Sequence, residues 1–206
     1  MFTYDFPRPA VTVDLVTFCL AEGELRVLLI RRNEPPFSGA WTLPGGFVHE
    51  REPLRRTALR VLSSKASLDD VYLEQLATFG DPERDPRDHV ISVAYFAILP
   101  LGLEYEGPGQ WFNVDSLPGM GFDHQNIATV ALERLRAKLS YTDIGFKFMH
   151  PEFTLGELQK SWETILGMSL DKRNFRKAIL KQVQDTGKKS TGGAHPPAKI
   201  FRRGSP

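Results

Sequence analysis

One cysteine, Cys19, stands in 206 residues, so no internal disulfide forms, and such usage predicts a reducing, cytoplasmic setting. Long apolar runs are missing too. The two most hydrophobic stretches, residues 11–20 and 25–30, are broken by Asp14 and by Glu22, Gly23 and Glu24. Neither reaches the roughly 20 residues that a membrane-crossing helix requires, so no membrane partner is expected. The N-terminal residues show no basic patch followed by an apolar core and a small-residue cleavage site, so no secretion signal is expected. No internal repeat is visible. Net charge is also low, at +1, which excludes a uniformly basic or acidic chain. With 41% hydrophobic, 11% aromatic and 25% charged residues, the composition excludes disorder over most of the length.

The small net charge hides a division. Residues 1–150 carry 15 Lys and Arg against 20 Asp and Glu, whereas residues 151–206 carry 11 against 5. An acidic body with a basic end points to a polyanion partner for the end alone.

Apolar and β-branched residues predict strands over 11–18 and 25–31, joined by a turn at Ala21-Glu22-Gly23-Glu24. Asn33 to Gly39 reads as a loop. It is followed by Trp41-Thr42-Leu43-Pro44-Gly45-Gly46, where paired glycines permit unusual backbone angles. A helix is expected next, with Glu52 and Pro53 in its first turn, Leu54, Ala58, Val61 and Leu62 on its apolar stripe, and an end near Ser67. Residues 72–79 and 89–99 read as strands flanking a charged loop, 80–88; a short strand is expected around 110–112 and a helix over 126–139. Strands alternating with helices place the chain in the α/β class.

A change of character at residues 140–151 marks a boundary. A strand-like segment at 146–149 precedes Thr154, which with Glu157 forms a capping-box pattern opening a helix that Gly167 closes. Asp171 is the next N-cap, for a helix running to about Val183. Phe175, Ile179, Leu180 and Val183 are expected to face the preceding helix, with Lys172, Arg173, Arg176, Lys177 and Lys181 turned outward. The remaining segment, with Lys188, Lys189, His195 and Lys199 around Gly192-Gly193, reads as a basic hairpin. Helix, turn, basic helix and basic hairpin form a winged helix-turn-helix pattern.

A solvated face is the alternative reading for any row of Lys and Arg. Ten basic against two acidic residues between Asp171 and Arg203 exceed what solubility requires, which favours double-stranded DNA. The candidate contacts are Lys172, Arg173, Asn174, Arg176, Lys177 and Lys181 on the helix and Lys188, Lys189, His195 and Lys199 on the wing. Arg and Asn suit base edges and Lys suits phosphate.

Gly46, Glu52, Arg60, Leu62 and Leu68 fall at the spacing of the Nudix box, G-x5-E-x7-R-E-U-x-E-E-x-G-U. With the preceding 41–48 segment, residues 13–16, 72–87, 91–95 and 122–124, and the C-terminal 170–177 and 192–198, the chain resembles Nudix-related transcriptional regulators of the NrtR type. The resemblance covers nearly the whole length. It implies a Nudix-like α/β/α sandwich with a mixed sheet over residues 1–145, which binds an effector, and a winged helix-turn-helix over 150–206. It further implies a homodimer on a palindromic operator. The expected function is a ligand-controlled regulator, a repressor of NAD metabolism or a related pathway, released by ADP-ribose or a phosphorylated sugar.

In a working Nudix hydrolase three box glutamates converge on one helix face and hold Mg²⁺, which neutralises a diphosphate and activates water. Here Val61, Ser64 and Lys65 stand at those positions, and Ser67 replaces the box glycine. No Mg²⁺ site, no cofactor and no hydrolysis are therefore expected. The resemblance leaves Arg31, Arg32, Gly45, Gly46, Glu52, Arg60, Lys65, Arg84 and Arg87 as effector-binding candidates. Lys65 is a possible counter-charge at a lost ligand position. Local ion pairing is the alternative for Arg84, Asp85 and Arg87, and a mutual brace is the alternative for Glu52 and Arg60. Phe37, Trp41, Phe79 and Trp111 are either adenine-stacking or core aromatics. Phe122-Asp123-His124 is expected to cap the 126–139 helix, with His124 bonding between domains. Two rival functions stay open: a Mg²⁺-dependent diphosphate hydrolase with ligands relocated to Glu50, Glu52, Glu83 or Asp85, and a nucleic-acid-binding module with no effector.

Overall fold

The structure, a computed structural model, describes residues 5–190 and 197–204. His195 and the Gly192-Gly193 tip lie outside the described residues. Ten strands and four α-helices are found among those described, and the chain divides into two compact units.

The first unit comprises residues 1–18, 26–98 and 104–134. Its sheet contains the greater part of β1 (Ala10–Ala21) and of β2 (Glu24–Arg31), with β3 (Trp41–Thr42), β4 (Gly45–Phe47), β5 (Tyr72–Phe79), β6 (Val90–Ile98) and β7 (Gln110–Asn113). The order is β3-β2-β1-β6-β5, with β4 added to β1 and β7 to β2. β1 runs parallel to β6 and antiparallel to β4, so the sheet is mixed. Eight consecutive buried residues in β1 explain its near-unbroken apolar run, since a central strand is covered on both faces. Asp14 is the one charge in that run, which also holds Thr12 and Thr17, and its partners form the heart of the site below.

Helix α1 (Leu54–Ala66) buries Thr57, Ala58, Val61, Leu62 and Ala66 and ends on Ser67 in the left-handed conformation. Glu52 and Pro53 are not its first turn. Pro53 is extended (ψ 140°) and caps the helix, while Glu52 turns its carboxylate back toward His49 and Arg60. Helix α2 (His124–Lys138) begins two residues earlier than its apolar stripe suggests.

The second unit holds residues 19–25, 99–103 and 135–206. Its three-stranded sheet, β8 (Glu152–Thr154), β10 (Lys199–Arg203) and β9 (Val183–Lys189), is antiparallel in that order. Helices α3 (Leu155–Leu166) and α4 (Lys172–Ile179) lie between β8 and β9 in the chain. Both halves of the Thr154 capping box form, and Gly167 ends α3 at φ 70°.

Two expectations fail here. Residues 146–149 are not a strand: Ile144–Phe148 is a 3₁₀ helix. Its tight turn sets the Gly145 backbone against Trp162, where a Cβ would sit 2.2 Å from the ring, and brings Phe146 onto Trp162 and Phe153. The basic helix is also shorter than expected. It stops at Ile179, because Val183 opens β9 and pairs with Arg203, so its apolar period continues by coincidence across a turn. Only Ile179 of the four expected core positions on this stretch is buried; Leu180 is half exposed. Lys181 consequently lies in the turn after α4, not on the helix.

Candidate ligand cleft and nucleic-acid interface

A cleft of about 800 Å³ opens within the first unit. Its walls bring together Arg31, Arg32, Gly45, Gly46, Arg60, Lys65, Arg84 and Arg87, eight of the nine residues expected from sequence. Glu52 does not line it. Gly45 pairs with Asp14 across β4 and β1, and a Cβ there would lie 2.0 Å from Asp14 Oδ1, so only glycine allows this approach.

Glu52 acts behind the wall. Its carboxylate accepts bonds from Arg60 Nε (2.8 Å), Arg60 Nη2 (2.7 Å), Thr57 Oγ1 (2.8 Å) and the His49 N–H (3.1 Å). Arg60 Nη2 also donates to the Phe47 carbonyl, so the pair fastens α1 to the glycine strand. The bond from Arg60, aided by those from His49 and Thr57, holds the Glu52 carboxyl far below its ordinary 4.5. Between those two values the unfolded chain takes a proton that the native one refuses, so acid favours unfolding. Melting temperature measured against pH will show wild type ahead of Glu52→Gln near neutrality, with the gap closing as pH falls below about 4.5. A gap constant through the acid range would contradict the brace.

Arg84 is corrected from ligand gripper to structural cation. Its side chain is 3% exposed. Nε and Nη2 donate to the two oxygens of Asp123 at 2.9 and 2.6 Å, and Nη2 lies 3.5 Å from Asp14 Oδ2. Ser92 Oγ donates to that same Asp14 oxygen at 2.5 Å. His124 completes the cluster: its Nδ1 accepts the Leu43 N–H at 2.9 Å, which leaves the ring proton on Nε2, 3.6 Å from Asp14 Oδ1. Burial pushes the His124 pKa down, so the ring is neutral. His124 therefore bonds inside its own unit, not between domains. Asp14 and Ser92 had no assigned role from sequence, and Asp123 was expected only as part of a helix cap. The available signal was Asp14 itself, a charge in a strand whose neighbours predict burial, which obliges a partner.

The other cations divide by partner. Arg87 forms a two-pronged pair with Asp85 at 2.9 and 2.7 Å. Arg31, Arg32 and Lys65 meet carbonyls instead. Arg31 donates to Gly39 O and stacks 4.6 Å over Trp41. Arg32 donates to Pro36 O and Pro35 O and lies 5.1 Å over Phe122. Lys65 Nζ donates to Gly45 O at 2.7 Å. Carbonyl partners leave these charges without a carboxylate counterpart among the described residues.

In the second unit Asp171 Oδ1 accepts the Asn174 N–H and fixes the start of α4. Lys172, Arg173, Asn174, Arg176 and Lys177 are all exposed on this helix. Lys188 pairs with Glu152 at 2.8 Å and Lys199 with Asp185 at 2.9 Å, while Lys189 is exposed opposite Lys199. Exposed pairs of this kind are weak and screened by solvent, so both lysines can exchange partners with a phosphate. Among the described residues no three His, Cys, Asp or Glu side chains gather as a metal would need, and no helix is long and apolar enough to cross a membrane.

The NUDIX domain family matches residues 8–131, and the family described as the NrtR DNA-binding winged helix domain matches residues 145–203. The chain is 35% identical, over 96% of its length and 83% of the relative's, to an ADPR responsive transcriptional repressor, NtrR, of Acinetobacter baylyi. An ADP-ribose pyrophosphatase of Methanocaldococcus jannaschii is 34% identical over 58% of this chain and 71% of its own. The crystal structure of Shewanella oneidensis NrtR with a 27mer DNA superposes with a TM-score of 0.83 at 33% identity, covering 94% of this chain and 93% of that one. The NUDIX domain of the same Shewanella protein, complexed with ADP ribose, gives a TM-score of 0.56 at 36% identity over 64% of this chain and 94% of that one.

Proposed function

The chain belongs to the NrtR family, in which a NUDIX domain is joined to a winged-helix DNA-binding domain, and from that premise we propose a transcriptional repressor that ADP-ribose releases from its operator. The observation that carries this reading is the likeness to a DNA-bound regulator over 94% of the chain. Residues 1–145 form the effector-binding part and 150–206 the DNA-binding part. Arg173, Asn174 and Arg176 have the chemistry for base edges, and Lys172, Lys177, Lys188, Lys189 and Lys199 that for phosphates. One such helix covers too few base pairs for useful specificity, so a two-fold homodimer on a palindromic site, in the cytoplasm and governing NAD metabolism, is the natural assembly. ADP-ribose can release DNA only by binding the free and operator-bound forms with unequal affinity.

The NUDIX domain hydrolyses nothing in this reading. Of the relocated ligands a hydrolase would need, Glu52 is saturated by four donors and Asp85 by Arg87, which leaves Glu50 and Glu83 without a third carboxylate. Selection of bound sequences from a random DNA pool, repeated with ADP-ribose, tests the whole proposal. A palindromic consensus that ADP-ribose releases is expected, with ADP-ribose recovered intact in the presence of Mg²⁺. No consensus, a complex indifferent to ADP-ribose, or a cleaved effector would overturn it.

A further inference from the structure

The NUDIX family implies a divalent cation at the box helix, and the residues present do not fit one. Val61 is fully buried and offers no oxygen. Ser64 Oγ donates to Arg60 O at 2.6 Å, and Lys65 Nζ donates to Gly45 O at 2.7 Å. These are the positions i, i+3 and i+4 of one helix face. A hard dication would meet a hydrocarbon, a committed hydroxyl and a positive charge.

A diphosphate still needs its charge answered. Of the cationic side chains in the cleft wall, Arg60, Arg84 and Arg87 are matched by Glu52, by Asp14 and Asp123, and by Asp85. Arg31, Arg32 and Lys65 keep an unmatched charge, and Arg31 and Arg32 are both tied to carbonyls of the 35–39 loop. Lys65 alone of the three belongs to the box helix. It sits in the last turn of α1, whose negative end favours a cation, and Gly45 O fixes its ammonium beside the glycine strand. An ammonium has three donors, so two remain for ligand oxygens.

We propose that Lys65 takes over the work of the divalent cation, as a tethered counter-charge for the diphosphate of the effector, so that this cleft binds its ligand without metal. The proposal rests on the reading of the cleft as an ADP-ribose site. Titration calorimetry of the full chain with ADP-ribose, in EDTA and again in Mg²⁺, separates the two. The expected result is one Kd in both buffers, weakened about tenfold or more by Lys65→Met, further by Lys65→Glu, and largely kept by Lys65→Arg. Lys65 is exposed, and unchanged melting temperatures will show that the variants fold. Binding that requires Mg²⁺, or Lys65→Met binding as tightly as wild type, would overturn the proposal while leaving the effector site standing. No binding of ADP-ribose by wild type in either buffer would overturn the effector reading and this assignment with it.

Discussion

Replacing Arg84 by methionine will cost the fold about 3–5 kcal/mol, because it leaves two carboxylates facing each other without the cation that stands between them. Asp14 is 8% exposed and Asp123 21%, so water cannot screen what remains. Methionine keeps most of the side-chain volume, which separates lost charge from lost packing. Denaturant unfolding followed by the fluorescence of Trp41 and Trp111 will read the loss. Adding Asp14→Asn to Arg84→Met should return part of it, since one orphaned charge then disappears, and a double-mutant cycle gives the coupling directly. A loss below about 1 kcal/mol, the range of exposed pairs, would show that Arg84 is not the structural cation described here.

Double replacement Arg173→Ala, Arg176→Ala will weaken operator binding on the order of a hundredfold or more, each lost contact being worth about 1–3 kcal/mol. Both side chains are exposed, and the helix start depends on the Asp171 cap, so the fold should be untouched. Fluorescence anisotropy on the selected operator measures the effect. Loss of these base contacts should relax the sequence preference, whereas Lys172→Ala or Lys177→Ala, at phosphate positions, should flatten the salt dependence by about one unit of slope each. Lys181→Ala provides the contrast: standing in the turn beyond α4, it should weaken binding far less. Unchanged affinity in the double variant would exclude α4 as the reading helix.

Elements defined by local period were legible in the sequence. The strand read over residues 72–79 matches β5 on its observed bounds, though a register shift between Gln75 and Ala77 breaks its pleat, and Thr154, Gly167 and Asp171 mark helix ends through capping chemistry that needs no tertiary contact. The end of α4 was not legible. Val183 continues a helical stripe in sequence, and only its pairing with Arg203, at the far end of the hairpin, assigns it to a strand. The cleft shows the same limit. Its residue types and most of its members could be assembled from the box, but which arginines are spent internally depends on partners 39 and 70 positions away from Arg84. By contrast, the Arg60–Glu52 alternative spans eight positions and was open to view.

The burial of Val61 sets the order in which a carboxylate cluster could be built on this helix face. Its side chain has no solvent exposure, and a methyl group lies 3.2 Å from where a Cβ on Gly46 would stand. A glutamate restored there alone would carry an ionised group into that contact at several kcal/mol, before any dication could reward it. Ser64 and Lys65, both exposed, can take glutamate without a burial cost but gain nothing without position 61. Position 61 therefore acts as the gate to any such site: carboxylates at 64 and 65 have no third partner until the valine's packing is rebuilt.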